Sequence, residues 1–133
     1  MITLDTSAII AIADEGDPDH SAVSSALLAD RGPWIVSAGI LGEVGYMLES
    51  ISADAVDAFL QDLETGAYTL DCGEEDWNRI RELVRRYADL PLGLADASVI
   101  ACAERNAGGV LTLDRRDFQV IAREGRITVI PEN

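Results

Sequence analysis

Short apolar runs alternate along the chain with stretches in which apolar residues recur every three or four positions. That alternation predicts an α/β domain with a mostly parallel sheet. Met1–Leu4 and Trp34–Val36 read as the first two strands, followed by Tyr68–Leu70, Val110–Leu113 and Thr128–Ile130. Ser7–Ala13 is a short apolar helix, and Pro18 is expected to open a second one running to Leu28, because proline has no N–H to lose in a first helical turn. Ala38–Leu48 gives a third. Val56, Phe59, Leu60 and Leu63 fall at i, i+3, i+4 and i+7, one amphipathic stripe that stops at Gly66. Trp77, Ile80, Leu83, Val84 and Tyr87 mark the apolar face of a further helix, and Arg79, Arg81, Arg85 and Arg86 lie opposite, where they balance the surface. After Pro91 and Gly93 break the pattern, Leu94–Ala103 is apolar nearly all round, as a central buried helix would be. Gly108 and Gly109 supply the turn that follows.

Length and composition narrow the picture. A chain of 133 residues with 48% hydrophobic content suffices for a sizeable core, so one domain over 1–133 is expected, without linker, repeat or low-complexity tract. The opening MITLDTS lacks the basic segment and long apolar run of a signal peptide. No stretch approaches the roughly 18 apolar residues of a membrane span, so a cytoplasmic location is expected. Cys72 and Cys102 stand outside any CxxC pattern and read as reduced, buried thiols. Charge is the strongest bias: 24 acidic residues face 10 basic ones, every one of them arginine, for a net charge of −14. Such a balance argues against binding a phosphate backbone through a broad basic face. A nucleic-acid reading therefore requires bound divalent cations that invert the local field, or a local arginine cluster. The same charge would draw in a basic protein partner.

Within this acidic chain, four carboxylates stand where burial is expensive. Asp5 ends the first strand, directly before Thr6 and Ser7, and Asp114 ends the strand VLTL. In a parallel sheet the carboxyl ends of the strands form the ligand crevice, so these two share an edge; an N-cap for Asp5 and a turn for Asp114 are the simpler alternatives. Glu43 lies three residues after Ile40 and four before Met47, on a side expected to face the core. Asp96 opens the apolar helix, where the helix dipole alone would also favour a carboxylate. An ionised carboxylate taken out of water costs several kcal/mol unless paired or bound to a cation. With no lysine to pair with, a converging set of four points to a metal. Oxygen-only ligands select Mg²⁺ or Mn²⁺ and disfavour zinc, and the chemistry they support is phosphoryl transfer. The lone histidine, His20, lies in a DPDH loop and suits a cap or surface role.

These segments, LDTS at 4–7, GEV at 42–44, LADA at 94–97 and TLDRRDF at 112–118, together resemble PIN-domain nucleases, in particular the VapC-like toxins of type II toxin–antitoxin pairs. The resemblance spans the chain. It implies a three-layer α/β/α sandwich, PIN-like, with a mostly parallel sheet, and an Mg²⁺-dependent endoribonuclease, a hydrolase of tRNA or ribosomal RNA for which Mn²⁺ would substitute. Asp5, Glu43, Asp96 and Asp114 would be both the catalytic and the metal-binding carboxylates, with Ser7 and Thr112 as hydroxyls that orient them. Asp117 would extend the acidic pocket or, as its position suggests more strongly, cap the turn after it. Arg115 and Arg116 would grip RNA phosphates or form a solvated pair. A homodimer and a cognate antitoxin are also implied, the antitoxin covering Ile9, Ile10, Ile12, Val23, Leu27 and Leu28. Two other readings compete: a Mg²⁺-binding signalling domain of the receiver type, which would need a strand-end lysine that the chain lacks, and a PIN-like nuclease acting on DNA. Nucleotide binding is disfavoured by the absence of both glycine-rich phosphate-loop patterns.

Overall fold

The computed structural model describes residues 1–131. Five strands, β1 (Ile2–Leu4), β2 (Trp34–Ser37), β3 (Tyr68–Asp71), β4 (Gly109–Leu111) and β5 (Thr128–Ile130), form one sheet in the order β3-β2-β1-β4-β5, parallel throughout. From β1 the chain builds outward through β2 to β3, then crosses to the other side of β1 for β4 and β5. The order therefore reverses at β1, which opens a crevice beyond the carboxyl ends of β1 and β4.

Seven helices surround the sheet: α1 (Thr6–Ala13), α2 (His20–Ala29), α3 (Leu41–Glu49), α4 (Ala53–Thr65), α5 (Trp77–Arg86), α6 (Leu94–Arg105) and α7 (Arg115–Ala122). All three β1 residues are buried, as expected for a strand covered on both faces. The helix α6 packs against β1, β2 and β4. Its residues Ala97 to Ala103 are buried without interruption, which explains why its sequence shows no polar side. The two ends of α4 are set by Ser52, whose hydroxyl accepts the Ala55 N–H at 3.0 Å, and by Gly66, which closes the helix at φ 83°. No helix among the described residues is long and apolar enough to cross a membrane.

Several elements differ from expectation. α2 begins at His20, not Pro18, because the Asp17 carboxylate accepts the Asp19 N–H at 2.8 Å and holds Pro18 in a turn. The third helix is preceded by a separate 3₁₀ turn, Ala38–Ile40, capped by Ser37, whose hydroxyl accepts the Gly39 N–H at 3.2 Å. β4 stops at Leu111, and an entire helix, α7, follows it with Phe118 and Ile121 buried. On α4, Phe59 is buried but Leu60 is 54% exposed, since only one side of this outer helix meets the rest of the molecule. On α5, Ile80 and Leu83 are buried whereas Trp77 is 62% exposed. Cys102 is buried, but Cys72 is exposed because it lies in the loop just past β3; both are free thiols. His20 begins α2 and bonds through Nδ1 to the Ala11 carbonyl at 2.7 Å, tying α2 to α1.

Candidate active site

Asp5 follows β1 and is 5% exposed. It occupies the N-cap position of α1, yet its side chain makes no capping hydrogen bond. Its Oδ2 instead accepts from the Thr112 hydroxyl at 2.7 Å and from the Ser7 hydroxyl at 3.0 Å. Those hydroxyls are themselves fixed: Ser7 Oγ accepts the Leu113 N–H at 2.9 Å and Thr112 Oγ1 accepts the Asp114 N–H at 3.0 Å. The Asp5 N–H donates to the Leu111 carbonyl at 2.9 Å. One carboxylate is thus held from both sides by the strand-to-helix turn that also carries Asp114. Burial pushes the Asp5 carboxyl above its ordinary value, against the pull of its hydrogen bonds.

Asp96 lies in the first turn of α6 and is half-buried. Its pKa is pushed up to about 6, first by burial and then by the negative charges of Asp5, Asp114, Glu43 and Asp117. The helix dipole favours an anion there, and the opposing charges outweigh it. Asp114 sits three residues past the end of β4, as the N-cap of α7 and not at the strand end. Burial and then the charge of Asp117 raise its pKa. Asp117 belongs to the first turn of α7, whose N-cap position is held by Asp114 without a side-chain capping bond, and the Asp117 charge bears on the acidic cluster.

Glu43 also bears on Asp96, but from an exposed position on α3. Val44 and Leu48 fill the core instead, and Met47 is 40% exposed. The expected core-facing placement fails because the buried stripe from Ile40 runs through Val44 and Leu48, at i+4 and i+8, which leaves Glu43 and Met47, themselves four apart, on the exposed flank. Arg115 likewise departs from expectation: its Nη1 donates to the Pro131 carbonyl, directing the guanidinium toward the segment after β5. Arg116 is exposed.

The electrostatic balance is the central property of this crevice. Among the described residues, no ion pair involves Asp5, Glu43, Asp96, Asp114 or Asp117. Two arginines of the helices α5 and α6 are committed elsewhere. Arg79 binds Glu104 at 2.7 Å and Glu124 at 2.9 Å, and Arg105 binds Asp76 at 2.6 Å and Asp71 at 2.7 Å. As the side chains stand, no three Asp, Glu, His or Cys groups among the described residues are drawn tightly enough together to enclose an ion. The donors are all oxygen and their charge is uncompensated, so the set fits a hard divalent cation that would draw the carboxylates inward.

The comparisons with known proteins agree with this arrangement. A PIN domain model matches residues 2–124. Ribonuclease VapC26 of Mycobacterium tuberculosis is 36% identical over 133 residues, a match that covers 96% of this chain and 98% of that protein. The crystal structure of Mycobacterium tuberculosis VapC20, described as a Sarcin-Ricin loop cleaving toxin, superposes with a TM-score of 0.79 over 90% of this chain and 95% of that one. At 16% identity it shares the fold. The parallel five-stranded sheet, the acidic crevice at its reversal point and the full-length likeness lead to one assignment: the chain belongs to the PIN-domain family, among its VapC-like ribonucleases.

Proposed function

We propose that the chain, acting as a single domain over 1–133, is an Mg²⁺-dependent endoribonuclease and the toxin of a toxin–antitoxin pair, cutting structured cellular RNA such as tRNA or ribosomal RNA in the cytoplasm. The observation that carries this reading is the load on Asp96, where burial and then the charges of four further carboxylates raise its pKa to about 6 and no described cationic side chain forms an ion pair with them. Asp5, Asp96 and Asp114, with Glu43 from the exposed rim, would hold Mg²⁺ or Mn²⁺. A bound ion there lowers the pKa of an attacking water and neutralises charge building on the phosphate. Ser7 and Thr112 fix the Asp5 rotamer, so that carboxylate need not reorganise during the reaction. Asp96 is ionised above about pH 6 and presents its charge at neutral pH. Arg116 would meet phosphates at the rim.

The partners follow from surfaces the fold leaves open. Tyr46, Met47, Ile51 and Leu60 expose apolar area on α3 and α4, and a homodimer through this face would cover it. Of the N-terminal helix residues expected to meet the antitoxin, Ile9, Val23 and Leu27 are already buried in the core and Leu28 stands exposed. Ile9 and Ile12 also line an apolar groove of about 230 Å³ with Leu48, Phe59 and Tyr68, where an antitoxin segment would dock.

The test is cleavage of folded RNA and of flap DNA by the purified protein in Mg²⁺, Mn²⁺ and EDTA. RNA cleavage that stops on chelation and returns with Mg²⁺ is expected. Full-rate cleavage in excess EDTA would remove the metal from the mechanism, and preferential cutting of flap DNA would replace the RNA substrate.

A further inference from the structure

A chain with a net charge of −14 must still hold a polyanion while cutting it, and the metal crevice alone grips only the scissile phosphate. The arginines sort into two groups. On α5, Arg79 and Arg86 are tied to Glu82, Glu104 and Glu124, which also occupies the acidic neighbour on that helix. Arg81 and Arg85 enter no ion pair among the described residues and are exposed. They lie one and two turns beyond Trp77, at i+4 and i+8, so the indole and both guanidinium groups share one face over about 12 Å of helix.

That face meets the N-terminal half of α6, the helix that carries Asp96, at two points. Trp77 stands at the mouth of a cleft of about 200 Å³ that also includes Ser37, Gly39 and Ser98. Ser37 ends β2 one strand from Asp5, since Leu4 pairs with Val36, and Ser98 lies two residues after Asp96 on α6. Gly39 approaches α6 so closely that a Cβ there would be 2.5 Å from Ser98 Cβ. On the other side, Arg81 and Arg85 line a hollow with Leu94, the first residue of α6. The indole and the arginine pair therefore both abut the first half of α6, the helix whose first turn carries Asp96. A large aromatic ring left 62% exposed beside two unpaired cations, on an otherwise acidic molecule, has the chemistry of a surface for single-stranded nucleic acid: a stacking platform with phosphate-binding cations along it.

We propose that Trp77, Arg81 and Arg85 form a track for the single-stranded RNA flanking the scissile phosphate, Trp77 stacking on a base beside the cleft and the two guanidinium groups taking backbone phosphates. This rests on the ribonuclease reading above. The track supplies the local arginine cluster that the overall charge demands.

The experiment uses full-length protein and a fluorescently labelled RNA hairpin with a single-stranded loop. Binding is read by anisotropy in an Asp96→Asn background at several salt concentrations, and cleavage is read as kcat and KM in the otherwise wild-type chain. Arg81→Gln/Arg85→Gln should weaken binding about tenfold and flatten the dependence of log K on log salt by about 1 to 1.5, as loss of two phosphate contacts to a single strand requires. Trp77→Ala should weaken binding roughly 5- to 100-fold and Trp77→Phe should restore most of it, because any aromatic face stacks. The losses should appear in KM and leave kcat within about twofold, since these residues bind substrate away from the reacting atoms. Arg31→Gln/Arg126→Gln removes the same charge from the exposed loops that lead into the amino ends of β2 and β5, away from the carboxyl-end crevice, and serves as the control. Unchanged affinity and salt slope in the α5 variants, or losses equal to those of the control, would overturn the track. So would intact RNA binding with loss of binding to the protein encoded beside this chain's gene, which would assign the face to a protein partner. A wild-type chain that neither binds nor cuts RNA in Mg²⁺ would overturn the ribonuclease reading first and the track with it.

Discussion

Asp96 links the chemistry of the crevice to the stability of the chain. Its folded pKa of about 6 lies above the ordinary value of 3.8, so between those values the folded chain holds a proton that the unfolded chain has released. Stability must then fall as pH rises through that window. Asp5 and Asp114, also raised, act in the same direction. Asp71 is lowered by its hydrogen bonds to Arg105, and its opposite effect lies below pH 3.8. Thermal melts in EDTA should therefore show a melting temperature that declines from about pH 4 to about pH 6.5. Asp96→Asn should flatten the decline and raise the value at pH 7, while activity drops by orders of magnitude; wild-type activity in this variant would remove Asp96 from the site. Thr112 offers a second test at this scale, because one hydroxyl both donates to Asp5 and accepts from the Asp114 backbone. Thr112→Val should lower kcat about 10- to 100-fold, and Thr112→Ser, which keeps both bonds, should restore it. Equal activity in the two variants would show that the hydroxyl does not position Asp5.

Between residues and the assembled molecule, helix phase and helix ends decide what reaches the site. The strands and α6 were legible because complete burial writes an uninterrupted apolar run, and Asp5 and Asp96 were legible because they abut such runs. Glu43 was located in the right element on the wrong face, since Ile40 pairs inward with Val44 and Leu48 and not with Met47, a choice that spacing alone leaves open. The helix α7 went unread because only Phe118 and Ile121 are buried among polar neighbours, too short a stripe to register as a period. That helix positions Asp114 at its N-cap. Phe118→Ala should cost about 3–5 kcal/mol, measured by denaturant unfolding, and should weaken cleavage as well by loosening Asp114. A loss of stability with unchanged kcat in the folded fraction would separate α7 from the site. Gly39→Ala should cost about 1–3 kcal/mol through overlap with Ser98. Ser98→Gly in the same chain should recover part of it, net of about 1 kcal/mol for glycine inside a helix.

For the molecule as a whole, the same uncompensated charge that loads the crevice makes a cation a folding ligand. At a Mg²⁺ concentration of about 100 times its dissociation constant, the native state should gain about 2.7 kcal/mol, seen as a raised melting temperature that vanishes in Asp96→Asn. A wild-type melting temperature indifferent to Mg²⁺ would count against a resident cation. The sheet order has a further consequence, in time. Asp5 is made at the start of synthesis, but the hydroxyl that orients it belongs to Thr112, 107 residues later, and the carbonyl that fixes its backbone belongs to Leu111. At roughly 5–20 residues per second the ribosome needs roughly 5–20 s to cover that distance. During that interval α1 to α4 have emerged while the crevice lacks one wall. A nascent chain thus exposes the helices proposed to meet a partner before it can cut RNA, so the proposed antitoxin, waiting beside the ribosome, would meet the nuclease while it is still harmless.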